Sequence, residues 1–227
     1  MRVIFVHGAF VRDGEWWWRP TADVLAGHGL RSSAAVLPSC ESDPRGDLHD
    51  DAAAVRALLD AAGEPVLLVG HSYGGMVISE AAAGHPAVRR LVYVTSFLPD
   101  AGEALADFGP GEPPPWHLSH GDGTAGVREE FVRPRFAQDF DDATYAGAAA
   151  RLTAQNEVVF GQRTTAAAWR EIPSTYLLCA DDLATPPAKQ REHAARASDV
   201  VELSVPHHPF VTRPDLVADV LLAQTTT

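Results

Sequence analysis

Short apolar runs recur along this chain, most of them separated by longer segments whose apolar positions fall three and four apart. The first run, Val3-Ile4-Phe5-Val6, predicts a strand over 2–6. Residues 16–29 follow with a helical pattern that Gly27 and Gly29 close, and 31–37 read as a second strand ending at Pro38. Residues 39–47 form a loop rich in Ser, Pro, Gly and charge. A helix is expected over 50–62, with Val55, Leu58 and Leu59 as its apolar stripe and Gly63 as its stop. Asp50 and Asp51 fall in its first turn, where the helix dipole favours negative charge. Val66-Leu67-Leu68-Val69 is apolar at every position, the mark of a strand covered on both faces. A helical pattern resumes at Met76 and runs to residue 84, and 90–95 is the fourth strand. Strands alternate with helices without hairpin signals, so the class is α/β with a mostly parallel sheet.

The alternation lapses over 97–169. Gly109-Pro110-Gly111-Glu112-Pro113-Pro114-Pro115 breaks any helix there, and 141–152 restores one. So long an insertion between two strands predicts a lid over the carboxyl edge of the sheet. Trp116, Phe131, Phe136, Phe140 and Tyr145 argue against a disordered linker. Strand 175–180, a helix opened by Pro186 or Pro187 and running to residue 197, strand 200–205 and helix 213–223 complete the pattern. The expected organisation is a core of 1–96 and 170–227, with about six strands flanked by helices, and a lid of 97–169 inserted after the fourth strand.

A chain of 227 residues is long enough to bury the core of one such domain. Its net charge of −12 and single lysine, Lys189, argue against nucleic-acid backbones and anionic membranes as partners, and the small-molecule substrate expected here comes from the chemistry at the strand ends. Cys40 and Cys179 are too few for a disulfide framework. The apolar run after Met1-Arg2 is too short for a signal-peptide core and no run reaches membrane-spanning length, so the expected location is the cytoplasm. A homodimer is compatible with the pattern, which does not fix the oligomeric state.

The chemistry concentrates at strand ends. Gly70-His71-Ser72-Tyr73-Gly74 stands between the central strand and the helix after it, the G-x-S-x-G nucleophile elbow with Ser72 at its apex. A serine hydroxyl needs a histidine to take its proton, and that histidine needs a carboxylate on its other nitrogen. The fifth strand ends at Asp181-Asp182 and the last at His207-His208, supplying both types in the order Ser, acid, His. The developing oxyanion needs N–H donors, for which Tyr73 and Ala9, in the His7-Gly8-Ala9-Phe10 loop after the first strand, are the candidates. Trp16, Trp17 and Trp18 cannot all face one way on a helix, so one packs on the sheet and another lines the site. Phe10, Trp16, Tyr73 and His208 are the expected pocket residues. His71 reads as an elbow-packing residue, and His117 and His120 lack further ligands at metal-binding spacing, so no metal is expected. Phosphate-binding signatures are absent and no organic cofactor is implied.

These motifs resemble the α/β-hydrolase fold, and more narrowly its compact group of plant-type methylesterases and hydroxynitrile lyases with their bacterial relatives. The resemblance runs through His7-Gly8-Ala9, Gly70 to Gly75, Ser96-Phe97-Leu98-Pro99, Asp182 with Pro186 four places on, and His207 to Phe210. It implies Ser72 as nucleophile, Asp182 as acid with Asp181 as rival, and His207 as base with His208 as rival. Two departures matter. The cyanohydrin-cleaving relatives carry a threonine beside the oxyanion loop and a lysine after the catalytic histidine, where this chain has Gly8 and His208. The expected activity is therefore hydrolysis of a small or medium carboxylic ester with an apolar or aromatic portion, through an acyl-enzyme on Ser72. A lyase, a biosynthetic tailoring enzyme with the same triad and a non-catalytic small-molecule receptor are the alternatives.

Overall fold

The computed structural model describes residues 1–43, 45–109 and 111–225. Pro110, in the helix-breaking run, and Pro44, in the loop over 39–47, lie outside them. The central sheet takes β1 (Arg2–Val6), β2 (Arg31–Ala34), β3 (Val66–His71), β4 (Val88–Val94), β8 (Ser174–Cys179) and β9 (Asp199–Leu203). Their spatial order is β2-β1-β3-β4-β8-β9 and every pairing is parallel. Side chains alternate between the two faces of a strand. Ile4, Val6, Val66 and Leu68 accordingly enter one apolar cluster, and Val3, Phe5, Leu67 and Val69 enter the other. Helices α3 (Leu48–Ala61) and α4 (Gly74–Ala81) supply the first cluster, while α1 (Gly14–Gly27) and α10 (Pro214–Ala223) supply the second. Covered on both sides, β3 is buried along its whole length.

Several boundaries depart from the sequence expectation for local reasons. Helix α3 begins at Leu48, not residue 50, because Asp47 accepts from the N–H groups of His49 and Asp50 while Asp50 accepts from the Asp47 N–H, a reciprocal cap. The second strand stops at Ala34, and a short helix α2 (Pro38–Glu41) opens the stretch expected to be loop, with Pro38 at a first-turn position where its missing N–H costs nothing.

Residues 97–169 also hold more regular structure than expected. They contain β5 (His117–Ser119), β6 (Thr124–Val127), α5 (Glu129–Phe131), α6 (Asp142–Ala149), β7 (Gln155–Asn156) and α7 (Val158–Gly161). The strands β5, β6 and β7 form a small antiparallel sheet, so the reading without hairpins fails here. Its turn was signalled by Gly121-Asp122-Gly123, where both glycines have positive φ. After β8, helices α8 (Pro187–Ala194) and α9 (Pro209–Thr212) complete the chain.

The turn out of β3 leaves no room for side chains beside it. A Cβ on Gly74 would lie 2.6 Å from the Val6 carbonyl oxygen and 2.8 Å from that of His7, backbone atoms at the end of β1 that cannot swing away. A Cβ on the exposed helical Gly27 would meet nothing within 4 Å. Gly74→Ala should therefore cost about 2–3 kcal/mol, lowering Tm by about 4–12 °C for a chain of this size. Gly27→Ala should raise stability by about 0.5–1 kcal/mol. Thermal melts followed by circular dichroism compare the two, and equal melting temperatures would contradict the close packing of the turn.

Candidate active site

Strand β3 delivers Ser72 to the carboxyl edge of the sheet in a left-handed conformation, φ 51°, which a non-glycine residue adopts at a cost. Three bonds hold it there. The Ser72 N–H donates to the Val94 carbonyl at 3.2 Å, and its own carbonyl accepts from the Ser96 hydroxyl at 2.5 Å and the Gly75 N–H at 3.1 Å. Tyr73 follows at the start of α4.

Asp182 and His207 arrive from the ends of β8 and β9. Asp182 is 1% exposed, and its carboxylate is fully used. Oδ1 accepts from the N–H groups of Ala184 (2.6 Å) and Thr185 (2.9 Å), and Oδ2 accepts from the Thr95 hydroxyl (2.5 Å) and His207 Nδ1 (2.8 Å). Burial alone would raise this carboxyl, but the neighbouring His207 ring and the hydrogen bonds from His207, Thr95 and Thr185 outweigh it and hold it below the ordinary carboxylate range. Thr95 has φ 39°, a strained value for a β-branched residue, at the position that aims its hydroxyl at Asp182. Asp181 is exposed, and it is Asp182 that bonds to His207 Nδ1.

The loop bearing His207 is anchored from α1. Trp18 stacks between Phe5 (centroids 4.3 Å apart) and Phe210 (3.9 Å), and the Thr21 hydroxyl donates to the Phe210 carbonyl at 2.9 Å. His71 Nε2 donates to the His207 carbonyl at 3.0 Å, which makes His71 a packing partner of the loop. His208 turns away from Asp182: its Nδ1 donates to the Phe136 carbonyl at 2.7 Å and its ring stacks on Trp17. Burial and the adjacent His207 push His208 down to about 3, while burial, His207 and His208 push His71 well below the ordinary histidine range. Both rings are neutral near pH 7. Among the described residues no hydrogen bond joins the Ser72 hydroxyl to His207, although both face the same cavity. Such bonds often tighten only once substrate is bound.

Ala9 and Tyr73 flank Ser72 from β1 and β3. Among the described residues neither N–H donates to a protein acceptor. Tyr73 is fully buried, and a buried N–H without an acceptor is rare enough to ask what ligand it serves.

The cavity these groups share measures about 550 Å³. Phe10, Trp17, Tyr73 and His208 line it from the core, and Phe97, Phe108, Trp116, His117, Phe136 and Phe160 from the insertion. Trp16 does not line it. One residue step along a helix turns a side chain by about 100°, so Trp17 takes that place while Trp16 lies outward over Gly147 and under the Arg151 guanidinium. His71, His207 and His208 have ligand-type atoms within 4.8 Å of one another, a trio that sequence spacing did not suggest, yet each ring already commits one nitrogen to a protein acceptor. No helix among the described residues is long and apolar enough to cross a membrane.

Comparison with known proteins agrees with this architecture. The model of the alpha/beta hydrolase family matches residues 3–220. The alpha/beta hydrolase nvfD of Aspergillus novofumigatus is 33% identical over 202 residues, 81% of each chain. The solved structure of a pyrethroid hydrolase from Sphingobium faniae is similar with a TM-score of 0.85 at 27% identity, over 98% of this chain and 96% of that one. A methylesterase from Arabidopsis has the same fold, with a TM-score of 0.82 at 20% identity over 100% and 99% of the two chains. The family match and the shared architecture together establish that this chain belongs to the alpha/beta hydrolase family, beside methylesterases and bacterial pyrethroid hydrolases.

Proposed function

We propose that this protein hydrolyses apolar carboxylic esters through an acyl-enzyme on Ser72. The observation that carries the reading is the alignment, on one cavity, of Ser72 at a strained turn, the buried Asp182–His207 pair and the free N–H groups of Ala9 and Tyr73. His207 takes the proton of the Ser72 hydroxyl at Nε2 while Oγ attacks the ester carbonyl carbon. Asp182, bonded to Nδ1, fixes the tautomer and stabilises the imidazolium. The carbonyl oxygen becomes an oxyanion held by the two N–H groups. Collapse expels the alkoxide, which leaves as the alcohol with the proton from Nε2. Water activated by His207 then attacks the acyl carbon and regenerates Ser72.

The aromatic lining favours an acyl or alcohol portion with a large apolar or aromatic group, and residues 97–169 act as its lid. The pyrethroid hydrolase relative supports that substrate class by name. Cyanohydrin cleavage is disfavoured, since His208, standing where those relatives carry a lysine, is neutral and offers cyanide no cation.

The purified protein should show a burst followed by turnover of p-nitrophenyl esters, and a serine-reactive phosphonate should add to Ser72. Both should vanish in Ser72→Ala, with mass spectrometry locating the adduct. Labelling without turnover of any ester would instead point to a lyase, a narrow tailoring enzyme or a receptor.

Asp182→Asn leaves the shape of the site but presents an amide to His207, and should lower kcat by roughly 10³–10⁴-fold. Asp181→Asn, on an exposed side chain, should change kcat by less than about two-fold. The reverse ranking in steady-state kinetics would exchange the roles of the two residues.

A further inference from the structure

The mechanism makes no use of a buried carboxylate on the other side of the elbow. Asp51, in the first turn of α3, is 0% exposed, although the sequence pattern explains it as an ordinary dipole-facing acid. Its Oδ1 accepts from the Ser39 N–H at 2.8 Å. Its Oδ2 accepts from the Ser39 hydroxyl at 2.6 Å and the Tyr73 hydroxyl at 2.8 Å. Ser39 Oγ in turn accepts from Gln155 Nε2 at 2.9 Å, and Gln155 Oε1 accepts from the Phe10 N–H at 3.1 Å. Ser39, Gln155 and Tyr73 are all fully buried. Among the described residues no cation is bonded to this carboxylate, and burial, opposed by its hydrogen bonds, raises it to about 6. A buried acid with no counter-charge is costly to keep, so a structural account alone leaves its presence unexplained.

The two ends of the network point to a role. One arm ends on the side chain of Tyr73, whose N–H is one oxyanion donor. The other ends on the N–H of Phe10, the residue after Ala9, whose N–H is the second donor. Phe10 sits at φ 63°, unfavourable for its type, so the loop needs an external tie to hold that geometry. The donors come from two different strand ends, and the network joins them through a third element, α3.

We infer that Asp51 is a positioning residue that sets the spacing of the Ala9 and Tyr73 N–H donors, through the Tyr73 hydroxyl on one side and Ser39, Gln155 and Phe10 on the other. The inference rests on the hydrolase reading above. Because the oxyanion forms only after attack, in the tetrahedral intermediate and the transition states flanking it, misplaced donors lower kcat and leave substrate binding largely intact.

The test uses p-nitrophenyl ester kinetics together with the rate of phosphonate addition to Ser72, on Tyr73→Phe, Asp51→Asn and their double variant. Tyr73→Phe keeps the ring and the N–H and cuts one arm only, so it remains informative if Asp51→Asn folds poorly by circular dichroism. Tyr73→Phe should lower kcat about 10-fold and Asp51→Asn about 10–100-fold, with KM within about 3-fold of the parent. Phosphonylation should slow in parallel. The double variant should match Asp51→Asn, since both changes break one path. Unchanged kcat in folded variants, or raised KM at constant kcat, overturns the positioning role while leaving the hydrolase reading intact. A parent protein that neither turns over esters nor labels at Ser72 overturns both.

Discussion

The reversal of the chain at Ser72 is the constraint on which the rest of the site depends. A strand turns into a helix within two residues here because the turning residue takes a left-handed conformation and the residues two places to either side, Gly70 and Gly74, have no side chains. Ser72 has φ 51°, and Gly74 lies against the carbonyls ending β1. That close approach brings the loop after β1, with Ala9, beside Ser72. The same turn ties β4 to it, through the bonds of Ser72 to Val94 and Ser96. Strain of order 1–3 kcal/mol at such a residue persists only where the surroundings over-determine it. Here the surroundings are three parallel strands buried on both faces.

Electrostatics then narrow the chemistry. Three buried histidines line the cavity besides His207, and burial is the main reason that each is neutral: His7 is pushed to about 4, His208 to about 3, and His71 well down. Asp182, by contrast, keeps its charge in spite of burial because four donors converge on it. Among the described residues, of these four buried rings only His207 faces a carboxylate at hydrogen-bond distance in this cavity, so on the hydrolase reading a proton leaving Ser72 finds one imidazolium stabilised and the others destabilised. The formal net charge of −12 has no counterpart in the cavity, whose lining is mainly apolar.

What was legible in the sequence was local or periodic. The apolar runs located the sheet strands, and the elbow pattern located Ser72 because a strand, two glycines and a helix adjoin it in the chain. Strand ends offered Asp181 or Asp182 and His207 or His208, and the family resemblance chose Asp182 and His207 between them. What stayed hidden depends on azimuth or on contacts between distant segments. Trp16 and Trp17 are indistinguishable by composition, and the start of α1 decides which faces the cavity. Asp51 looks like any first-turn acid until the fold brings Ser39, Tyr73 and, through Ser39, Gln155 around it. The antiparallel sheet of the insertion was signalled by Gly121 and Gly123, but two of its strands are too short to show alternation.

The insertion and the elbow also divide the control of substrate and of rate. Aromatic side chains from 97–169 line the cavity, so on the hydrolase reading they would meet a substrate through apolar contact, and such contacts discriminate by only about 1–3 kcal/mol per methylene. A lining of that kind yields a graded preference across a family of related esters. The polar groups behave differently, because a donor left without its acceptor forfeits a whole desolvated hydrogen bond. Gln155 belongs to the insertion and yet bonds to Phe10 and Ser39, so the segment that shapes the apolar cavity also has a fixed attachment to the loop after β1. Repacking the aromatic lining can therefore shift which ester fits while the geometry at Ser72 is retained, provided that the attachment through Gln155 survives.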